Sequence, residues 1–321
     1  MIKQENFELF DETSMNFARE RMLGISAVLV ASVLWGTTGT AATFAPSVSA
    51  AAIGSVAMGL GGLLQALVAV KSIARGKKYL LDQWRFLLLG AVAVAIYPVA
   101  FYGSMRIAGV TIGTVVSIGS APLLSILIEY WLDGIQLTLR WLVGAILGVT
   151  GIILPCLAES NYGGDDSSPE VIIGILLGIV AALTYATYSW SARRLMQSGI
   201  PSQAAMGATF GIGGILLMPV LFLTGAPLLA SWENAAVGAY MALVPMFLGY
   251  ICFGYGLARI QASTATTITL FEPVVAAVLA VVIIGETLPG LGWTGIGLVV
   301  GCLIFITLPV KKSTDSFKIS T

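Results

Sequence analysis

One apolar pattern occurs twice in this chain of 321 residues, with the second copy about 151 residues after the first. The segment 120–123 (SAPL) aligns with 271–274 (FEPV), and the same offset places Gly134 on Gly285. Each copy contains five apolar segments long enough to cross a membrane. An odd number of crossings forces the second copy to enter the bilayer from the opposite side. The sequence therefore predicts two inverted repeats, an arrangement found in many secondary transporters.

Composition indicates an integral membrane protein. Hydrophobic residues make up 57% of the chain, charged residues only 10%, and the mean hydropathy is +0.94, whereas soluble domains contain about 25% charged residues. Ten segments have the length and apolarity of membrane spans. They cover residues 22–44, 50–70, 85–106, 110–132, 141–158, 171–193, 203–224, 235–257, 263–285 and 291–310. We predict an all-α protein with ten transmembrane helices in two inverted five-helix repeats.

The basic residues predict the orientation, because Lys and Arg concentrate in cytoplasmic loops. With a cytoplasmic N-terminus, Arg106 is the one basic residue assigned to the outer side. The others all fall inside: Lys3, Arg19, Arg21, Lys71, Arg75, Lys77, Lys78, Arg85, Arg140, Arg193, Arg194, Arg259, Lys311, Lys312 and Lys318. Residues 159–170 between the halves are rich in Gly, Asp and Ser and contain no basic residue. We therefore predict that both termini are cytoplasmic and that 159–170 is an external linker.

Several function classes lack the residues they require. The chain has no histidine, and its cysteines at 156, 252 and 302 lie far apart in apolar segments. A metal cluster, a histidine-based catalytic site and a disulfide framework are therefore not expected. No nucleotide-binding motif is present either. We predict no catalytic residue, no metal, no cofactor and no nucleic-acid partner.

Several motifs resemble those of the EamA family of the drug/metabolite transporter superfamily. They are WG at 35–36, SAPLL and FEPVV in the fourth and ninth spans, and GETL at 285–288 followed by Trp293 and Gly295. The resemblance covers about residues 22–308. It implies a first EamA repeat at 22–158, a second at 171–310 and cytoplasmic tails at 1–21 and 311–321. It also implies a central cavity lined mainly by spans 1, 3, 4, 6, 8 and 9, and a function in exporting amino acids and other small metabolites.

Glu272 is the sharpest candidate for a functional residue. It lies near the middle of the ninth span, where an ionisable group is costly and marks a substrate or proton pathway. It also precedes Pro273, which is paired with Pro122 in the fourth span. Helix interruptions at matching positions of two repeats point to a transport site. We expect these prolines to contribute to gating. The alternative is that the Glu272 carboxyl only bonds to a neighbouring helix.

Other side chains could contact a substrate. Arg106 could bind a carboxylate in bidentate fashion or could extend towards lipid headgroups. Glu129 is expected at the membrane interface. A set of aromatic residues lies within spans that the resemblance turns towards the cavity, and such rings suit an amphipathic or aromatic solute. The predicted contacts are Trp35, Tyr97, Tyr102, Tyr185, Tyr188 and Tyr250. Thr264, Thr266, Thr267 and Thr269 are expected to bond to helix carbonyls.

The sequence favours a secondary transporter in the inner membrane that exports amino acids or related metabolites by alternating access. Its expected partners are a small-molecule substrate, the lipid bilayer and protons as a coupling ion, and the chain is expected to be a monomer or a weak homodimer. Four alternatives stay open: an uncoupled facilitator, an exporter of drugs or aromatic cations, a channel, and a structural membrane subunit. A membrane enzyme is disfavoured, because it would need clustered acids or histidines.

Overall fold

Ten helices form the fold, and all ten predicted spans are confirmed as helices. The computed structural model describes residues 2–108, 113–160, 169–285 and 290–308. The helices are α1 (Ile2–Thr43), α2 (Ala50–Asp82), α3 (Trp84–Ala108), α4 (Val115–Asp133), α5 (Leu139–Ser160), α6 (Pro169–Gln197), α7 (Ser202–Thr224), α8 (Trp232–Leu257), α9 (Ala262–Ile283) and α10 (Gly290–Thr307). A short 3₁₀ turn, Ala226–Leu229, precedes α8.

Nine of the described helices are long and apolar enough to cross a membrane. In α1 this part is Ala18–Thr43, and α5 has a shorter apolar stretch, Leu139–Leu154. Three predicted features fall wholly or largely outside the described residues: most of the linker 159–170, the acidic residue of the GETL motif, and the C-terminal tail.

The helix packing follows the repeat. Exchanging the halves pairs α1 with α6, α2 with α7, α3 with α8, α4 with α9 and α5 with α10. In the structure α2 packs along α7 and α5 packs along α10. Exchanging the halves leaves each of these two contacts unchanged. The contact between α3 and α6 has its equivalent in α1 against α8, and α4 against α6 has its equivalent in α9 against α1. The two inverted five-helix repeats are therefore interlocked around one core.

Residues that end or interrupt helices recur at equivalent positions. Gly134 ends α4 and Gly285 ends α9, with φ of 67° and 81°, a left-handed conformation that glycine adopts without steric cost. In α4 a π-helical stretch, Val115–Gly119, precedes Pro122. In α9 the helix stops at Ile268 and resumes at Phe271, before Pro273. The interruptions expected from the paired prolines are thus present in both halves.

Helix direction separates the two ends of the bundle by charge. The end where α1, α3, α5, α7 and α9 begin carries the described basic residues other than Arg106. We call it the basic end. Arg106 lies at the opposite end, close to where α3 finishes. The predicted cytoplasmic side corresponds to the basic end.

Candidate functional site

A central cavity lies where helices of both halves meet. Seven of the eight predicted substrate contacts line it: Trp35, Tyr97, Tyr102, Tyr185, Tyr188, Tyr250 and Glu272. Sequence reasoning missed the further lining residues Thr38, Gly54, Ala57, Met58, Pro98, Phe101 and Met246. The lining comes from α1, α2, α3, α6, α8 and α9. Where the resemblance implied α4, the described lining has α2 instead.

The approach of α2 depends on a glycine. A β-carbon at Gly54 would lie 2.5 Å from ring atoms of Tyr102 and 3.2 Å from Pro98. Any side chain at this position would push α2 away from α3. Gly54 thus lets α2 pack closely against α3, and this packing forms one wall of the cavity.

The aromatic rings form a continuous wall. The Trp35 ring centroid lies 4.7 Å from that of Tyr250 and 6.4 Å from that of Tyr185. Tyr97 lies 5.7 Å from Tyr185 and 5.9 Å from Tyr188. Rings at these separations attract one another through edge-to-face and tilted contacts. The wall is therefore a rigid apolar surface with a few polar tips.

Hydrogen bonds fix those polar tips. The Tyr188 and Tyr250 hydroxyls are 2.8 Å apart, and the Tyr185 hydroxyl lies 2.8 Å from the Thr269 hydroxyl at the break in α9. The Trp35 indole N–H donates to the carbonyl oxygen of Pro245 at 2.8 Å. A buried N–H or O–H without a partner is costly. The rings of Trp35, Tyr185, Tyr188 and Tyr250 are therefore each held in one orientation.

Glu272 is the charged residue of the described cavity wall. It follows the break in α9, and its backbone N–H donates to the Thr269 carbonyl at 3.0 Å. No hydrogen bond or ion pair to its carboxylate is found among the described residues. It lies roughly 15 Å along α9 at 1.5 Å rise per residue, near the middle of the bundle. A carboxylate at this depth is costly without a partner, so it can accept a proton or bind a cation.

Three of the four threonines before Glu272 bond to helix carbonyls, as expected from the sequence. Thr266 donates to the carbonyls of Ala262 and Ser263, and Thr267 donates to Ser263. Thr269 donates to the Thr266 carbonyl and also contacts Tyr185. These hydroxyls support the irregular part of α9 and join it to α6.

Three predicted site residues, Arg106, Pro122 and Pro273, do not line the cavity. Arg106 is exposed at the opposite end, and Pro122 lies buried in α4. The cavity itself has a volume of about 30 Å³, comparable to the space of about one water molecule. Small-molecule sites usually measure about 300–1,000 Å³. The structure therefore shows the cavity closed around itself.

The sequence profile of the EamA-like transporter family matches residues 22–155 and 172–308. The chain belongs to this family. The two matched ranges coincide with the two structural repeats, and the family's name indicates transport rather than catalysis. No group of three or more metal-ligating side chains occurs in the described part of the chain.

Relatives of this EamA-like transporter are also transporters by name. The uncharacterized transporter YwfM of Bacillus subtilis is 30% identical over 289 residues, which is 89% of this chain and 95% of YwfM. A probable terminal-alkyne amino-acid exporter of Streptantibioticus cattleyicolor is 24% identical, over 82% of this chain and 89% of its own length. The threonine/homoserine exporter RhtA of Escherichia coli is 27% identical over 54% of this chain and 56% of its own.

A solved structure has the same fold. It superposes with a TM-score of 0.72 at 19% identity, over 88% of this chain and 95% of the other. The family match and the relative YwfM indicate a multi-pass membrane transporter, and the solved structure shows the same fold.

A polar network closes the basic end of this EamA-like transporter. Glu129, in α4, is fully buried within the protein at the basic end. Its carboxylate accepts from the backbone N–H groups of Ala262 at 2.8 Å and Ser263 at 3.2 Å. These groups are the free donors at the start of α9, so Glu129 acts as a cap contributed by another helix.

Neighbouring residues extend this network to α6 and α8. Arg194 pairs with Asp133 at 3.0 Å, and the Trp190 indole N–H donates to the same carboxylate at 2.9 Å. Arg193 donates to the carbonyls of Leu257 and Ile260 at the end of α8. Four helices are thus tied together where the cavity would open towards the basic end. We call Glu129, Asp133, Trp190, Arg193 and Arg194 the basic-end latch.

Proposed function

We propose that this transporter exports amino acids or closely related metabolites across the inner membrane by alternating access. Glu272 is the acid that binds the substrate ammonium group or carries a coupling proton. The observation behind this proposal is the unpartnered Glu272 carboxylate in an aromatic cavity between the two repeats. Both termini and the basic end face the cytoplasm in this proposal.

The chemistry of the wall suits a zwitterionic substrate. A carboxylate and several aromatic faces attract an ammonium group through charge and cation–π contacts. Arg106 lies one turn beyond Tyr102 on α3, so both side chains lie on one side of the helix. We propose that Arg106 contacts the substrate carboxylate when the opposite end is open.

Alternating access is supported by the closed cavity and the interrupted helices. A space of about 30 Å³ must expand before any amino acid can enter. The breaks before Pro122 and Pro273 are places where α4 and α9 can bend. We propose that these prolines serve as hinges as the halves rock against each other. The names of the RhtA and alkyne amino-acid exporter relatives support amino acids as the substrate class.

The test is flux in proteoliposomes with a panel of radiolabelled amino acids, with and without a pH gradient. We expect saturable transport of at least one amino acid. We expect Glu272→Gln to reduce gradient-driven flux at least tenfold. Glu233→Gln is the matched control, because Glu233 is an exposed acid at the start of α8. Full gradient-driven flux in Glu272→Gln would remove Glu272 from the mechanism.

Arg106 has its own test. If Arg106 binds the substrate carboxylate, Arg106→Ala should weaken the binding of amino acids but leave the binding of the corresponding decarboxylated amines unaffected. Equal loss for acids and amines would contradict a role in carboxylate recognition.

A second candidate substrate class is an aromatic or quaternary cation. The ring of Trp35, Tyr97, Tyr185 and Tyr250 beside one carboxylate also resembles the aromatic cages that bind such cations. Including a fluorescent aromatic cation in the same panel separates the two classes. Transport of the cation with no amino-acid flux would favour this second candidate.

A further inference from the structure

A second polar pocket lies at the basic end, apart from the central cavity. It is formed by the start of α1, the connection from α4 to α5, the start of α9 and the end of α10. Its volume is about 180 Å³, enough for several water molecules of about 30 Å³ each. It shares no lining residue with the cavity around Glu272.

Two arginines converge on this pocket. Arg21 donates to the carbonyl of Ile306 at 3.4 Å, and Arg140 donates to the carbonyls of Phe305 and Leu308. Both guanidinium groups therefore meet at the last turn of α10. Neither has a carboxylate within ion-pair distance among the described side chains.

The acid beside Arg21 in the chain is occupied elsewhere. The Glu20 carboxylate pairs with Arg259 at 2.7 Å. Helix carbonyls accept hydrogen bonds from Arg21 and Arg140, but they cannot neutralise two like charges held close together. Each guanidinium also has five N–H donors, more than the carbonyls occupy. The pair therefore has both charge and donors left for an anion.

Trp141 is a third, independent indication of a ligand. It lines the pocket and is only 8% exposed, and its indole N–H has no acceptor among the described residues. Trp141 also lies in the first turn of α5, where its backbone N–H donates to Thr138 at 3.2 Å. The N-terminus of a helix carries partial positive charge and attracts anions.

We infer that this pocket binds a phosphate group, supplied by the headgroup of an anionic phospholipid. Arginine pairs bind phosphate oxygens with several parallel hydrogen bonds. The pocket lies where helices leave the apolar layer at the basic end, which is the level of lipid headgroups. Basic pockets between transmembrane helices at this level bind acidic lipids. The site is independent of the transported substrate.

The test measures lipid binding to the full chain in detergent by native mass spectrometry. The probes are phosphatidylglycerol, phosphatidylcholine and inorganic phosphate. We expect one saturable phosphatidylglycerol site that discriminates against phosphatidylcholine. Arg140→Gln should weaken it about tenfold or more, because a charged hydrogen bond is lost. Arg85→Gln is the matched control, since Arg85 is exposed at the same end but does not line the pocket.

Trp141→Phe is a second variant that tests the site independently, because Arg140 also caps α10 and its replacement could disturb the fold. This change keeps an aromatic ring and removes the N–H. It should therefore weaken the binding of phosphatidylglycerol while the thermal unfolding midpoint stays unchanged. Equal binding of both lipids, or wild-type binding in both variants, would overturn the site. Competition by inorganic phosphate at concentrations equal to the lipid would overturn the lipid assignment in favour of a soluble anion.

Discussion

The two ends of the helix bundle are closed by different chemistry, although the repeat makes their backbones equivalent. The basic end has Glu129, Arg193 and Arg194 in the basic-end latch. The repeat places Ala280, Thr43 and Phe44 at the corresponding positions of the opposite end. There an apolar groove of about 510 Å³ lies along the junction of α1 with α8 and α9.

Under the proposed alternating access, this difference means that the two opening movements break different interactions. Opening the basic end must separate a buried carboxylate from its donors, which costs several kcal/mol unless another partner replaces them. Opening the opposite end separates apolar side chains, which lipid can solvate equally well, and breaks the hydrogen bond from Tyr240 to Thr37. A symmetric scaffold can therefore have a strongly unequal balance between its two open states.

Among the three variants considered, Glu129→Ala should have the largest effect, which is a loss of stability. Two buried N–H groups lose their acceptor, at about 1–3 kcal/mol each, so we expect a loss of about 3 kcal/mol in stability. The measurement is the thermal unfolding midpoint in detergent. Glu129→Gln should fall between wild type and Glu129→Ala, because it keeps one acceptor oxygen. An Ala variant as stable as Glu233→Gln would mean that Glu129 does not support α9.

Trp190→Phe should have the next largest effect. Trp190 is buried, and phenylalanine keeps its contact with Phe86 at 5.4 Å while losing the bond to Asp133. We expect the closed basic end to lose about 1 kcal/mol of stability, which corresponds to about a fivefold shift towards opening at that end. The measurement is the labelling rate of Met58→Cys in the cavity by an impermeant thiol reagent added at that end, with native cysteines replaced by alanine. An unchanged rate would exclude this bond from the closure.

Arg194→Gln should have the smallest effect. The Arg194 side chain is 41% exposed and Asp133 is 12% exposed, and water screens such pairs to about 0.5 kcal/mol. The same labelling assay should show about a twofold increase. Arg85→Gln controls for the loss of a basic charge at this end. A larger effect than that of Trp190→Phe would show that charge, rather than burial, controls the latch.

The sequence predicted the fold well because its evidence was periodic and long-range. The ten apolar segments, the repeated glycines at 134 and 285 and the paired prolines at 122 and 273 each occur at fixed offsets in the chain. Seven of the eight predicted contact residues line the cavity, because the family resemblance indicated which spans turn inwards.

The role of Glu129 could not be predicted in this way. Its partners are the backbone N–H groups of Ala262 and Ser263 in the other repeat, and backbone donors leave no trace in residue identity. The contribution of α2 was missed because Gly54 indicates close packing without naming the neighbour. Arg106 is exposed because it lies in the last turn of α3, beyond the cavity.

α8 contains a π-helical stretch, Ala242–Leu248, whose i→i+5 hydrogen bonds accommodate one surplus residue compared with a regular α-helix. That surplus residue can move along the helix while the backbone hydrogen bonds are exchanged one at a time. If it passed Tyr250, the segment around that residue would turn by about 100°, the angle of one helical residue. The Tyr250 ring would then leave the cavity, and its bond to Tyr188 would break. Such a shift would turn one wall of the cavity while α8 stays helical.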